Sequence, residues 1–234
     1  MTLSKFARWL AVAFTVIAVV AAPSQLSADE PDSSSARPAG QTELTIWTPA
    51  PGRRLSDPRG TALVRKGRAG TACTVSGAYA LYRYCPPNVY RWSGGPNPRV
   101  YFLDHTRSSW QVKASVRKWN ESSSVVAAYR RHTAGCPAVN RCVNVYGGNY
   151  GPTGWAARTD LRFYGSWIVS ATVSLNDYYA TDATDRRATS CHETGHALGL
   201  DHNAYRSSCM FWQVDGHVTP YPGMGDWSML HQIY

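Results

Sequence analysis

The chain has 234 residues, 44% of them hydrophobic, enough to bury one good core and at most a small second one, which excludes an array of several domains. Its 24 Lys and Arg against 15 Asp and Glu give a net charge of +9, spread without a long basic run, and this argues against a nucleic-acid binder. The charge is compatible with adhesion to anionic cell-wall polymers or membranes, although a solvated surface explains it as well.

At the N-terminus, Lys5 and Arg8 precede an apolar run from Trp9 to Ala22 that has signal-peptide length and is too short to span a bilayer comfortably. Residues 1–28 are therefore read as a signal peptide cut after Ala28. A cut after Ala22 would leave Pro23 at the new terminus, and an uncleaved anchor is the alternative. Removing Lys5 and Arg8 lowers the net charge from +9 to +7. No second run is long enough to cross, so no stable membrane insertion is expected after the signal is removed.

Export implies an oxidising compartment, where Cys73, Cys85, Cys136, Cys142, Cys191 and Cys209 are expected to form three disulfides. Connectivity is open, but spacing favours neighbours: 73 with 85, 136 with 142, 191 with 209. None forms a CxxC pair, which speaks against a cysteine zinc site.

Residues 29–72 are poor in apolar groups at their start ("DEPDSSSARPAGQ") and rich in Gly, Pro and Arg, and read as a flexible linker or propeptide. Residues 73–98 hold tyrosines and two cysteines and read as an N-terminal extension or part of a propeptide. From Arg99 the pattern sharpens into a domain over 99–234. "RVYFLDH" (99–105) predicts a strand. A helix capped by Ser108 or Ser109 follows, with Val112, Val116 and Trp119 at i, i+4 and i+7 on one face. "VVAAYRR" (125–131), "CVNVYGG" (142–148) and "GWAART" (154–159) read as further strands. "IVSATVSLN" (168–176) alternates, with Val169, Ala171, Val173 and Leu175 expected on the buried face. A helix capped by Thr181 or Asp182 then runs toward Gly199. A last short helix is expected near Asp226, offering Trp227, Leu230 and Ile233 or Tyr234 to the core.

Three of the seven histidines fall in "CHETGHALGLDH" (191–202), mostly on the penultimate helix. His192 and His196, four apart, point about 40° from each other one turn apart, so both imidazoles can reach one zinc ion at about 2.0–2.1 Å. Glu193 is rotated about 100° from His192, where a carboxylate can act as proton acceptor without ligating the metal. A continuing helix would place His202 about 240° from His196, out of reach, so the helix must stop between them. Gly199 stands where a left-handed residue ends a helix at no steric cost. Gly195, inside the helix, costs about 1 kcal/mol relative to alanine; it either makes room near the site or answers an ordinary packing need. His105, His132, His217 and His231 lack ligand spacing, and the Asn120-Glu121-Ser122 sequon carries meaning only in a eukaryotic host.

The pattern H-E-x-x-H-x-x-G-x-x-H resembles the long zinc signature of the metzincin metallopeptidases, nearest to small secreted bacterial matrixin-like or snapalysin-like enzymes. Metzincins place a methionine turn beneath the metal, and Met210 stands at the matrixin spacing after His202; "HALGLDH" and the terminal "GDWSMLHQIY" are also similar. The resemblance implies an α+β metzincin fold: a mixed, mostly parallel sheet of about five strands, an active-site helix, a zinc cleft and a small C-terminal subdomain. It implies one catalytic zinc on His192, His196 and His202, Glu193 as general base, and Gly199 and Met210 as structural residues at the site. Extended polypeptides would bind as an added strand along the edge strand, placed at Gly154 to Thr159, and Tyr221 and Pro222 would wall the pocket.

Three departures matter. Snapalysins use an aspartate as third ligand where this chain has His202; position 212 is Trp212, not the tyrosine of astacins and serralysins; and no cysteine-switch sequence precedes the domain, so any latency works differently. No dense acidic loop for calcium is present. Pairing Cys191 with Cys209 would tie the active-site helix to the methionine turn. The expected protein is a secreted, monomeric zinc endopeptidase; the alternatives are a catalytically silent zinc-binding adhesion module and a disulfide-stapled structural or inhibitor protein.

Overall fold

The computed structural model describes residues 41–51, the backbone of 74–75 and 78–79, and residues 90–180, 182–212 and 218–234. The signal peptide, most of the 29–72 stretch, the Cys73–Cys85 pair and His217 lie outside the described residues. In chain order the elements are β1 (Gln41–Pro49), β2 (Thr74–Val75), β3 (Ala78–Tyr79), β4 (Arg91–Trp92), β5 (Arg99–Asp104), α1 (Val112–Trp119), β6 (Val126–Arg131), β7 (Cys142–Gly148), β8 (Trp155–Tyr164), β9 (Trp167–Asn176), α2 (Ala183–Ala197) and α3 (Met224–Ile233). β2 and β3 form a separate two-stranded ribbon.

The main sheet runs β1-β8-β9-β7-β5-β6, with β4 added to one end of β9. Its centre is parallel: β5 lies between β6 and β7, and β7 pairs with β9. β8 runs antiparallel to β9. Parallel strands require crossovers, and α1 supplies the one between β5 and β6. Val100, Phe102, Val143, Val145, Val173 and Leu175 turn inward with no exposed surface, meeting Val112, Val116 and Trp119 of α1 in one core. α1 packs against α2, and α2 lies along β8 and β9. This is the expected α+β fold with a mixed, mostly parallel sheet; the five expected strands are β6-β5-β7-β9-β8, and β1 and β4 bring the sheet to seven.

Three local expectations change. α1 is not capped by serine: Ser108–Trp110 form a 3-10 turn and Gln111, at φ 52°, precedes the helix without a side-chain cap. The buried Trp110 sets this entry, its indole N–H donating to Asp177 Oδ1 at 2.8 Å. In β9 it is Ile168, not Val169, that is buried, because the β8–β9 register shifts between Arg162 and Phe163; Phe163 pairs with Ile168 and Arg162 with Ser170, leaving Val169 as the extra residue. β8 reaches Tyr164, beyond the Thr159 end expected for it.

The largest difference is β1. Within the stretch read as linker or propeptide, "ELTIWT" alternates, and Leu44, Ile46 and Thr48 are buried while Glu43, Thr45 and Trp47 face outward. β1 lies antiparallel on β8 from Gln41 opposite Tyr164 to Pro49 opposite Trp155.

α2 begins as expected at Asp182, whose carboxylate accepts from the Thr184 and Asp185 N–H groups at 2.7 and 2.9 Å. α3 starts at Met224, two residues before Asp226, and buries Met229, Leu230 and Ile233; Trp227 is partly buried, edge-on to Trp119. Two disulfides join Cys136 to Cys142 and Cys191 to Cys209. No helix among the described residues is long and apolar enough to cross a membrane.

Candidate active site

α2 is buried from Ala188 to its end, so His192, Glu193 and His196 are held by close packing on all sides. The helix stops at Leu198. Gly199, at φ 96°, donates its N–H to His196 O, and Leu200 N–H returns to Gly195 O. A Cβ on Gly199 would also stand 2.6 Å from the Tyr90 carbonyl oxygen, so this position needs glycine for both conformation and space. The reversal delivers His202, which is buried beside the two helical histidines.

The three Nε2 atoms converge: His192 to His196 is 2.9 Å, His196 to His202 3.1 Å, and His192 to His202 3.0 Å. Their other ring nitrogens explain which protons are present. His192 Nδ1 donates to the Cys209 carbonyl at 2.7 Å and His196 Nδ1 to the Leu200 carbonyl at 2.8 Å. A carbonyl only accepts, so both Nδ1 atoms carry the proton and both Nε2 atoms offer lone pairs. Burial, with the neighbouring imidazoles second, holds His192 and His196 well below the usual imidazole range, so both are neutral. Lone pairs facing each other at this distance repel unless a cation lies between them. Three nitrogens so spaced can all sit about 2.0–2.1 Å from one zinc ion, and the carbonyls behind His192 and His196 are the partners that orient such ligands. No other His, Cys, Asp or Glu joins the cluster among the described residues, a donor set that suits a catalytic rather than a closed structural zinc.

Glu193 turns toward the sheet. Its Oε1 accepts from Thr48 Oγ1 of β1 at 2.5 Å, and its Oε2 from Thr159 Oγ1 of β8 at 2.6 Å. The side chain has no exposed surface. Burial pushes its carboxyl up to about 8, against the two threonine hydrogen bonds that pull it down. Neither threonine stood out in the sequence, because each is far from Glu193 along the chain; the alternation of "ELTIWT" was the available signal for Thr48.

Beneath the cluster, Met210 is fully buried against Gly195 and Trp119. Its turn is stitched by Asn203 N–H to Met210 O at 2.7 Å and by Met210 N–H to Ser208 Oγ at 2.9 Å. Asp226 of α3, also missed by sequence reasoning, closes the network. It accepts from Ser208 Oγ at 2.5 Å, Asn203 Nδ2 at 2.9 Å and the Gly223 N–H at 2.7 Å. Tyr221 accepts the Cys209 N–H on its carbonyl, and its ring lies against Arg187 of α2 and Lys118 of α1; Pro222 beside it is half-buried. These contacts attach Tyr221 to the methionine turn and the helices. His105 and His132 stack on each other at the other end of the sheet, and His231 contacts Ser124.

The Matrixin peptidase family model matches residues 103–234, more than half of the chain. Among solved structures, the chain is similar to metalloproteinase-II from Bacteroides fragilis, with 12% sequence identity, a TM-score of 0.34, and coverage of 62% of this chain and 57% of that one. The chain thus spans little more than half the length of that structure's chain. No curated protein matches.

Proposed function

The chain belongs to the matrixin family of metallopeptidases, and from that premise we propose that it is a secreted zinc endopeptidase using His192, His196 and His202 as ligands and Glu193 as general base. The observation that carries the proposal is the convergence of three Nε2 atoms within 3.1 Å, two of them with the ring proton committed to a carbonyl on the far side.

Zinc, when bound, supplies Lewis acidity that polarises a peptide carbonyl and makes water acidic enough to lose a proton near neutral pH. Glu193 accepts that proton on a carboxylate oxygen and passes it to the nitrogen of the departing amine. A nearby cation favours the ionised carboxylate, countering the burial that raises its pKa. Thr159 positions Glu193 by donating to Oε2. An extended polypeptide would add as an antiparallel strand on the outer edge of β8, the edge that β1 takes in this structure. Gly199 and Met210 act structurally, by ending the helix and by supporting it from below, and Tyr221 with Pro222 belongs to the segment that would wall the substrate pocket. The basic N-terminal stretch with its apolar run, together with the two disulfides, supports export.

The test measures zinc content and casein hydrolysis of the purified protein, with and without a chelator, beside Glu193→Gln. One zinc per chain in both proteins, with hydrolysis lost on chelation and falling by a factor of about 10²–10⁴ in the variant, is expected. Bound zinc with no Glu193-dependent cleavage would sink the peptidase reading and leave an adhesion module.

A further inference from the structure

We propose that β1 is a resident occupant of the substrate edge, so that cleavage by the folded chain is held to a residual rate and rises when Gln41–Pro49 leaves β8. This rests on the peptidase reading for the meaning of the edge, but the occupancy itself is a matter of strand pairing.

Within the five-stranded sheet β6-β5-β7-β9-β8, the outermost strand is β8, and its far edge is where an extended peptide could gain backbone hydrogen bonds. β1 already takes that edge. It pairs antiparallel along all of β8, and beyond the irregularity at Thr48 and Pro49 the contact continues with Ala50 N–H to Gly154 O at 3.1 Å. No length of β8 from Trp155 to Tyr164 is left for another strand.

β1 also reaches the chemistry. Thr48 has no exposed surface and holds Glu193 Oε1 at 2.5 Å, so both carboxylate oxygens are engaged by threonines, one from β1 and one from β8. A general base must meet the water it deprotonates. In this arrangement Glu193 is fully buried, and Thr48 occupies one of its two acceptor oxygens. Departure of β1 would free the pairing edge and Oε1 in the same event. Latency here uses no cysteine, since β1 contains none.

The strand is held by its pairing with β8 and by two core side chains, Leu44 and Ile46. Of its inward side chains only Leu44 and Ile46 are large and apolar, while Trp47 is 40% exposed on the other face. Those inward positions also indicate what an incoming substrate should present: aliphatic side chains at alternate positions, aligned with the seats of Leu44 and Ile46.

The test uses the full chain with Leu44→Lys and Ile46→Lys together, which puts charges where β1 must be buried. Hydrogen exchange on β1 and β8 amides reports release, zinc content reports integrity, and an unstructured fluorogenic peptide reports cleavage. With β1 released and zinc retained, kcat/KM should rise about tenfold or more over the wild type. Equal rates in the two proteins would overturn the proposal while leaving the peptidase reading intact.

If neither protein cleaves, the peptidase reading fails and occupancy is decided by binding. A labelled peptide of sequence QTELTIWTP should bind the variant and not the wild type; binding to both alike, or to neither, overturns the proposal. Should the double variant not fold, a site-specific protease sequence inserted after Gly60 and cut after folding and zinc loading provides the same comparison. Activity should then rise on cutting and dilution and fall again when the peptide is added back; no rise despite loss of β1 overturns the proposal.

Discussion

Gly195 and Met210 face each other so closely that a Cβ on Gly195 would overlap the methionine sulfur and stand 2.7 Å from Trp119 Cζ2. The glycine is therefore a packing requirement in the middle of the active-site helix. Alanine would favour the helix by about 1 kcal/mol, but overpacking costs about 1–3 kcal/mol. The overlap involves two buried side chains, so packing should win. Gly195→Ala is expected to lower the melting temperature and weaken zinc retention together, as read by thermal unfolding and chelator competition. A variant as stable as the wild type would show that Met210 yields without consequence.

Thr159 donates its one hydroxyl proton to Glu193 Oε2 at 2.6 Å, with the Glu193 carbonyl oxygen 3.1 Å from the same hydroxyl. Valine has the same shape and no donor, so Thr159→Val leaves a buried carboxylate oxygen without that partner, at a cost of about 1–3 kcal/mol. The expected kinetic signature is a lower kcat with little change in KM and with zinc content unchanged, and recovery in Thr159→Ser. A loss confined to KM would move Thr159 from positioning the base to binding substrate.

Asp226 is nearly fully buried, and burial raises its carboxyl above its ordinary 3.8 despite hydrogen bonds from Ser208, Gly223 and Asn203. Folding thus favours its protonated form. Its contribution to stability is fully present below the ordinary value and declines as pH rises through the raised one. Asp226→Asn cannot titrate, so the stability of the wild type relative to the variant should fall as pH rises from about 4. Denaturant unfolding across a pH series measures this, and parallel pH profiles for the two proteins would refute it. Asp226→Ala, which removes the acceptor of three donors, should cost more at every pH and loosen the methionine turn.

The Cys191–Cys209 disulfide joins the residue before His192 to the residue whose carbonyl receives the His192 Nδ1 proton. Its loop should contribute about 3 kcal/mol by limiting the unfolded chain. Its second effect is local, since it holds that carbonyl beneath the imidazole. Titration with reductant should release zinc before far-UV circular dichroism reports loss of secondary structure. Simultaneous loss of both would leave the bond as a general staple.

Much of the site was legible because it is local. The shared direction of His192 and His196, four residues apart, follows from the helical period, and the need for a stop before His202, at Gly199, follows from the same geometry. Short separations favoured the Cys191–Cys209 and Cys136–Cys142 pairings without fixing them, and the structure contains both. The five strands of the catalytic sheet were readable from their apolar runs, with errors at the edges: the serine cap expected for α1 was displaced by the anchoring of Trp110, and the buried face of β9 was offset at Val169 by a bulge that the alternating pattern could not announce.

The sequence by itself determined that His192 and His196 point the same way, that Glu193 stands beside them and that the helix must stop for His202 to join, since each depends on spacings of a few residues that the helical period converts directly into direction; the methionine turn at Met210 came from the resemblance. Only the tertiary structure decided what Glu193 touches. Thr48 is 145 residues away and Thr159 is 34, and Asp226 lies 18 and 23 residues from the side chains it locks. Such partners are selected by which strands share an edge and which helix covers a turn. The alternation in β1 was visible in its letters, but it could equally have served another strand; that it lies on β8, across the edge where a substrate would bind, is a property of the assembled sheet.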